Sequence, residues 1–373
     1  MADIDATLKS PIRFAPEMEV VGADEAAAIA GLVETLTKIS ETTFAHSGHA
    51  TRGVHAKSHG VLRGEMTVLE KLSPGLAQGV FARQATYPVV MRLSTLPGDI
   101  LDDAVSAPRG LAVKIIGVEG ERLPGSEGDV TQDFVLVNGP AFGAATAQKF
   151  LPNLKLVAAT TDRAEGLKKL VSAFARGTEA LLEAFGTKSS TILTLGGQPE
   201  THILGETFYS QAPVLYGPYM AKVAIAPVSP ALKALTGTAV HLSGRPDGLR
   251  EAVREYFATL GGEWEIRVQL CNDLQAMPIE DASVVWPETL SPFVAVARIS
   301  VKPQDSWAPA EVAAIEDGLA FSPWHGLAAH RPLGSVMRAR RATYESSARF
   351  RGARNGCPMH EPTRAGDVAG GAR

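Results

Sequence analysis

Hydrophobic and polar positions alternate in eight short runs along the chain. The runs are rich in β-branched residues, and glycine, proline or aspartate bounds them, which is typical of strands. They occupy residues 60–68, 87–95, 110–118, 131–138, 205–210, 219–227, 263–272 and 293–301. Helices do not alternate regularly with these runs, so the pattern favours an antiparallel eight-stranded barrel over a parallel sheet. A barrel of this size can hold a ligand.

A longer apolar period, every three or four residues, predicts four helical regions. They span residues 24–40, an insertion at 144–185, residues 247–257 and a final helix at 332–351. Asp24 is a candidate N-cap for the first helix, and Gly352 is the expected end of the last. Together the two periods predict an α+β protein, in which an antiparallel barrel carries helical insertions and a C-terminal helix.

Composition places the chain among ordinary globular proteins. Of its 373 residues, 45% are hydrophobic and 20% are charged, and no apolar run reaches the roughly 18 to 20 residues of a membrane span. The first residues lack a basic region followed by an apolar stretch, so we expect no secretory signal and a cytoplasmic location. Cys271 and Cys357 imply no disulfide framework. We expect an N-terminal helix and arm at 1–45, a barrel domain at 46–355 and a disordered tail at 356–373.

Charge argues against nucleic acid as a partner, with one local exception. The net charge of −4 provides no general attraction to a polyanion. Residues 331–354, however, hold seven arginines and a single acid, Glu345. This concentration of arginine needs a different explanation.

Arg340, Tyr344 and Arg351 follow one another at spacings of four and seven, so all three project from one face of the final helix. A guanidinium one turn from a phenol stabilises the phenolate, which is the form that binds ferric iron. Tyrosine is one of the few axial ligands that proteins supply to haem. The alternative is a surface pair on an amphipathic helix, since such pairs are common.

Other segments of the sequence favour a haem site over a surface pair on this helix. From residue 52 to residue 351 the chain resembles the haem catalases, in order. The segment RGVHAKSHG looks like the one that carries the family's distal histidine, and PVVMRLSTLPGD and APRGLAVKIIGVEG are similar to the strands that follow it. TFYSQAPVLYGPYMAKV, VVWPETLSPFVAVARISV, LAFSP and MRARRATY resemble the later strands and the proximal helix.

The resemblance implies haem b as cofactor, a hydroperoxide as substrate and a haem peroxidase or catalase activity. Tyr344 would be the axial iron ligand, with Arg340 keeping its oxygen ionised. His55 would carry protons over the other haem face, with Ser94 orienting it. A lone strand histidine is more often structural, and the matching helix is what favours catalysis here.

Further positions match those that hold the haem itself. Val54 would pack on the porphyrin. Arg52, Arg92 and Arg351 would bind its propionates, which suit forked guanidinium groups. This would account for the arginine-rich helix without nucleic acid. A small reductant and a homo-oligomer are further expectations, and no membrane partner is expected.

The chain departs from the family at the distal asparagine. A gapless alignment puts Thr131 there, with Gln132 beside it. A shorter donor at this position predicts slower turnover of hydrogen peroxide. The chain also lacks most of the long N-terminal arm and the C-terminal domain of large catalases. A wider entrance is therefore expected, which favours bulkier hydroperoxides and peroxidase activity.

Three alternatives remain open at this stage. His46, His49, His55 and His59 fall within fourteen residues and could form a zinc site. The barrel could also be a non-enzymatic haem or lipid carrier. Lastly, the altered distal position fits an isomerase of organic hydroperoxides, of the allene oxide synthase type.

Overall fold

The computed structural model describes residues 10–105, 107–159 and 199–368. Within these ranges the chain forms nine strands: β1 Lys57–Val68, β2 Thr86–Thr95, β3 Arg109–Ile116, β4 Thr131–Val137, β5 Phe208–Tyr209, β6 Val214–Tyr216, β7 Tyr219–Pro227, β8 Gly262–Leu270 and β9 Val294–Val301. It also forms six helices: α1 Glu25–Ser47, α2 Ala147–Ala159, α3 Pro230–Lys233, α4 Gly248–Phe257, α5 Pro309–Gly318 and α6 Ser335–Asn355.

Eight of the strands close into an antiparallel barrel. They run in the order β5, β4, β3, β2, β1, β9, β8 and β7, and β5 also pairs with β7, which closes the barrel. The ninth, β6, is a three-residue strand that forms a hairpin with β7. All eight predicted strands are therefore confirmed as barrel strands, and the predicted α+β class with them. The alternation of apolar residues works because one face of each strand fills the barrel core.

The barrel interior is the main hydrophobic core. Side chains from all the long strands meet there, among them Leu62, Met91, Val113, Val223 and Ile266. Each of these five is at most 1% exposed. Burial of apolar side chains is the dominant favourable contribution to folding. It also makes the barrel a rigid support for the side chains on its outer face.

Three helices pack together beside the barrel. Leu32 and Ile39 of α1, Leu154 of α2 and Ala339 of α6 share one small core. This core packs α6 against α1 and α2 and so fixes the direction in which its side chains project. The predicted first helix is confirmed but continues to Ser47, and Asp24 makes no side-chain cap. Residues 160–185 of the predicted insertion lie outside the described residues.

One helix end and one whole helix differ from the sequence expectation. Helix α6 passes through Gly352 and ends at Gly356, whose φ of 65° is the left-handed conformation that favours glycine at a helix terminus. Helix α5 was not predicted, because the segment is short and its small alanines blur the apolar period. In the described part of the chain, none of the helices has both the length and the apolar character of a membrane span.

Residues 356–361, which follow α6, contact other parts of the folded chain. The backbone N–H of His360 donates to the carbonyl oxygen of Gly318 at 2.9 Å. The side chain of Glu361 accepts a hydrogen bond from Lys114 at 2.7 Å. Residues 356–361 thus make specific contacts, the predicted disorder of the tail stays a prediction, and residues 369–373 lie outside the described residues.

Candidate functional site

A cleft with about 740 Å³ of empty space lies between the barrel and helix α6. Strands β2, β3 and β4 provide one wall, α6 provides another, and α1, the segment before β1 and the segment after α5 complete it. The lining residues are Leu36, Arg52, Gly53, Val54, His55, Arg92, Ser94, Gly110, Leu111, Ala112, Val135, Leu136, Ala320, Phe321, Thr343, Tyr344, Ser347, Ala348 and Arg351. That volume includes space open to solvent.

Helix α6 presents one face to this cleft. Thr343, Tyr344, Ser347, Ala348 and Arg351 recur at spacings of three and four, which places them on one side of the helix. Small residues next to the tyrosine leave room along that face. Tyr344 therefore lies on the face of α6 that lines the cleft.

Arg340 lies on α6 one turn before Tyr344 but not among the lining residues. Its guanidinium contacts the sulfur of Met337 at 3.7 Å and faces the ring of Phe142 at 5.7 Å. Its proposed effect on the tyrosine oxygen stays a prediction.

His55 reaches the cleft from an unusual backbone conformation. Its φ is 53°, which side-chain-bearing residues rarely adopt and which is common where a side chain must be aimed. The imidazole Nδ1 lies 3.3 Å from the hydroxyl oxygen of Ser94. Burial, with the charges of Arg92 and Arg340, lowers the pKa of His55 to about 3. The imidazole is therefore neutral at physiological pH and can accept a proton.

Gly110 makes room for this histidine. A Cβ at position 110 would lie 2.6 Å from Nδ1 of His55 and 3.0 Å from the hydroxyl oxygen of Ser94. Only glycine fits such a close approach. Glycine at position 110, the second residue of β3, thus has a steric reason, which is to leave space for the ring.

Arg52, Arg92 and Arg351 meet at one end of the cleft and are called the arginine cluster below. Glu316 of α5 lies among them. Its carboxylate accepts from Nε of Arg92 at 2.7 Å, also pairs with Arg52, and its backbone oxygen accepts from Arg351. Burial alone would raise the pKa of Glu316, but the charges of these arginines lower it to about 2. Glu316 is the residue that sequence reasoning missed.

One N–H donor of the arginine cluster is unpaired within the described residues. The Nε of Arg351 is buried and has no hydrogen-bond partner within the described ranges. Burial lowers the pKa of this guanidinium to about 10, so it remains charged at neutral pH. An unsatisfied buried donor on a cation is costly, and an incoming carboxylate would relieve that cost.

Glu316 leads to a prediction about acid stability. Its folded pKa of about 2 lies below the ordinary 4.5, so its stabilisation is complete above pH 4.5 and is lost as the pH falls through 2. The shift corresponds to about 3 kcal/mol at neutral pH. We expect Glu316→Gln to be less stable than the parent chain at pH 7 and to differ little from it at pH 2. Thermal unfolding across this range measures the difference. A constant difference at all pH values would contradict the assignment.

Thr131 and Gln132 do not border the cleft. The hydroxyl of Thr131 donates to Glu361 at 3.0 Å, on the outer side of β4. The side-chain oxygen of Gln132 accepts from the backbone of Leu327 at 2.8 Å, and its amide nitrogen donates to the carbonyl of Asp133. Both side chains are therefore engaged elsewhere, and neither is placed to contact a ligand in the cleft. The described lining contains no asparagine or glutamine.

The histidines considered for an alternative zinc site do not form one cluster. His49 pairs with Asp317 at 2.8 Å, whereas His59 is fully buried and contacts Thr95 at 3.0 Å. No group of three potential ligands that could hold a metal ion occurs among the residues that the structure describes. The structure brings together His55, Ser94, Val54 and Tyr344 with the arginine cluster, as the sequence predicted, and leaves the other histidines apart.

Comparison with known proteins gives a consistent picture at the level of the fold. No family model matches the sequence, and no curated protein does. Among solved structures, a fungal catalase superposes with a TM-score of 0.56 at 19% identity, over 85% of this chain and 61% of that one. Catalase A from Saccharomyces cerevisiae gives 0.54 at 17% identity, over 84% and 63%. A bacterial catalase gives 0.54 at 18% identity, over 95% and 66%.

The chain thus spans a little under two thirds of each of these structures. Identities below 20% carry information about architecture and not about activity. The closed antiparallel barrel, the helix packed beside it and the three superpositions all indicate the same fold. The protein therefore has the catalase-like fold.

Proposed function

We propose that the protein binds one haem b in the cleft and uses it to decompose hydroperoxides. The observation that carries the proposal is that His55 and Tyr344 line the same cleft from two different walls, with the arginine cluster at one end. These are the three kinds of group that a tyrosine-ligated haem needs: an axial ligand, a proton carrier and cations for the propionates. The chain also shares its fold with solved structures of catalases.

The charge of the arginine cluster fits this cofactor. Three guanidinium groups and the Glu316 carboxylate leave two positive charges, and haem b carries two propionates. The free Nε of Arg351 provides a donor that a propionate can use. Guanidinium groups bind carboxylates through paired N–H donors, so they would fix the orientation of the porphyrin in its plane.

Tyr344, on the face of α6 that lines the cleft, would hold the iron through its phenol oxygen. Bound haem supplies the two-electron chemistry that cleaves the peroxide bond, and an anionic oxygen donor tunes its iron for that task. The part of the protein is then to position the cofactor, to exclude water and to move protons.

His55 would move the proton. Its neutral imidazole can take a proton from the peroxide oxygen and return it to the oxygen that leaves. Ser94 holds Nδ1 of His55 through the 3.3 Å contact. Gly110 has no Cβ and so leaves room for the imidazole ring. General acid–base catalysis of this kind contributes about 10²- to 10⁴-fold to a rate.

The lining favours organic hydroperoxides over hydrogen peroxide. Ala112, Val135 and Phe321 make part of the lining apolar, and the described lining offers no side-chain amide. An apolar wall binds the carbon part of a substrate, whereas hydrogen peroxide has none. We therefore propose a peroxidase that works with a small reductant. An isomerase or a carrier would use the same cleft.

A panel of three substrates separates these activities. We expect the haem-loaded protein to oxidise a dye with cumene hydroperoxide or a fatty-acid hydroperoxide at least about tenfold more efficiently than with hydrogen peroxide, since an apolar pocket discriminates on this scale. Oxygen release would indicate dismutation, and an epoxide product would indicate isomerisation. Haem-loaded protein that reacts with none of the three would contradict an enzymatic role and favour a carrier.

A further inference from the structure

The C-terminal strap, residues 356–361, follows α6 and contacts the end of α5 and the arginine cluster. It begins where α6 ends at Gly356, and the N–H of His360 donates to the oxygen of Gly318 at 2.9 Å. The sulfur of Met359 lies 3.4 Å from a guanidinium nitrogen of Arg351, which belongs to the arginine cluster. The strap therefore joins the end of α6 to Gly318, the last residue of α5.

Glu361 ends the strap in a buried charged cluster. Its Oε2 accepts from the ammonium of Lys114 at 2.7 Å and from the hydroxyl of Thr131 at 3.0 Å. Lys114 is fully buried and also donates to both carboxylate oxygens of Asp133, at 2.8 and 3.0 Å. A buried ammonium requires such partners, because leaving it unpaired is strongly unfavourable.

The other charges around this cluster come from the neighbouring segments. Nε2 of His325 lies 2.7 Å from Asp129, and its Nδ1 lies 3.4 Å from Glu361. The guanidinium of Arg122 donates to the backbone oxygen of Thr131. With His325 protonated, three cations face three carboxylates, so the cluster is balanced only when Glu361 is docked.

The charged cluster lies directly behind the wall segment of the cleft, residues 320–322. The ammonium of Lys114 faces the ring of Phe321 at 5.5 Å from its centroid. The N–H of Ser322 donates to Asp133 at 2.9 Å. Ala320 and Phe321 line the cleft. Moving the charged cluster would therefore move the apolar wall.

We propose that Glu361 is a positioning residue: by docking the strap on Lys114 it fixes the wall segment and so sets how large a hydroperoxide the cleft admits. The docking itself is a property of the chain, whereas its effect on substrate size rests on the proposed function. The two parts can fail separately.

The first experiment measures docking without haem. Hydrogen exchange is compared for the parent chain, for Glu361→Gln and for a chain that ends at Gly356; Lys114 keeps Asp133 as partner in both variants. Arg364→Ala is the matched control, because that exposed side chain pairs with Asp367 outside the charged cluster. We expect exchange at the amides of Ser322 and, where present, His360 to rise by about tenfold or more while β8 stays protected. Unchanged exchange at Ser322 in both variants would overturn the proposal.

The second experiment measures substrate size in the haem-loaded protein. We expect the KM for cumene hydroperoxide to fall by about tenfold relative to the KM for hydrogen peroxide in both variants, with kcat little changed, because a displaced wall admits the larger molecule. Arg364→Ala should keep the parent ratio. An unchanged ratio would refute the positioning role. If the parent chain takes up no haem, the proposed function fails, and the exchange experiment alone decides whether the strap docks.

Discussion

Replacing Tyr344 by phenylalanine is expected to lower the affinity for haem by at least about a hundredfold. Loss of groups that merely support a metal ligand costs about 10- to 100-fold in affinity, so loss of the axial ligand itself should cost no less. Phenylalanine keeps the ring that packs in the cleft and removes only the oxygen. The measurement is titration of haem-free protein with haem, followed by the Soret absorbance and by the iron content per chain.

Tyr219→Phe is the matched control for this experiment. That ring lies against Arg13 and does not line the cleft. It should bind haem as the parent chain does, and both variants should keep the parent's far-ultraviolet circular dichroism. Full uptake by Tyr344→Phe, with the parent's spectrum, would show that another residue holds the iron.

Replacing His55 by alanine is expected to leave haem binding intact and to lower hydroperoxide turnover by about 10²- to 10⁴-fold, the usual contribution of a proton-transferring side chain. His55 contacts Ser94 and packs closely over Gly110, and it is not part of the arginine cluster. Its removal should therefore separate chemistry from binding. Stopped-flow rates with cumene hydroperoxide, at equal haem occupancy, measure the effect.

Two further variants sharpen the result for His55. Ser94→Ala removes one orienting hydrogen bond, which contributes about 1 kcal/mol, and should slow turnover by no more than about tenfold. His49→Ala changes a more exposed histidine that pairs with Asp317, and it should have no effect. Turnover by His55→Ala at the parent rate would exclude the histidine as the proton carrier.

The barrel could be predicted from the sequence because each strand carries its own signal. Residues 87–95 and 219–227 place an apolar side chain at alternate positions, and turn-forming residues bound them. The three-residue strand β6 is too short to show a period. The end of α6 was misplaced because Gly352 is an acceptable helix residue, whereas Gly356 adopts the left-handed conformation that ends the helix.

The candidate site was predictable only where residues act through a local motif. Tyr344 and Arg351 share the helix face that lines the cleft, and His55 lies in a segment that resembles a known one. Glu316 and Glu361 have no such signal. Their partners, Arg52 and Lys114, are 264 and 247 residues away, and only the folded chain brings the charges together. Thr131 and Gln132 illustrate the converse, since alignment cannot tell where a strand directs a side chain.

The most direct measurement of the central claim is anomalous diffraction at the iron edge from crystals of the haem-loaded protein. The account predicts one strong iron peak per chain, within bonding distance of the Tyr344 oxygen, with His55 on the other side of the porphyrin and both propionates at Arg52, Arg92 and Arg351. An iron peak elsewhere, or a cleft that stays without iron in protein saturated with haem, would contradict it.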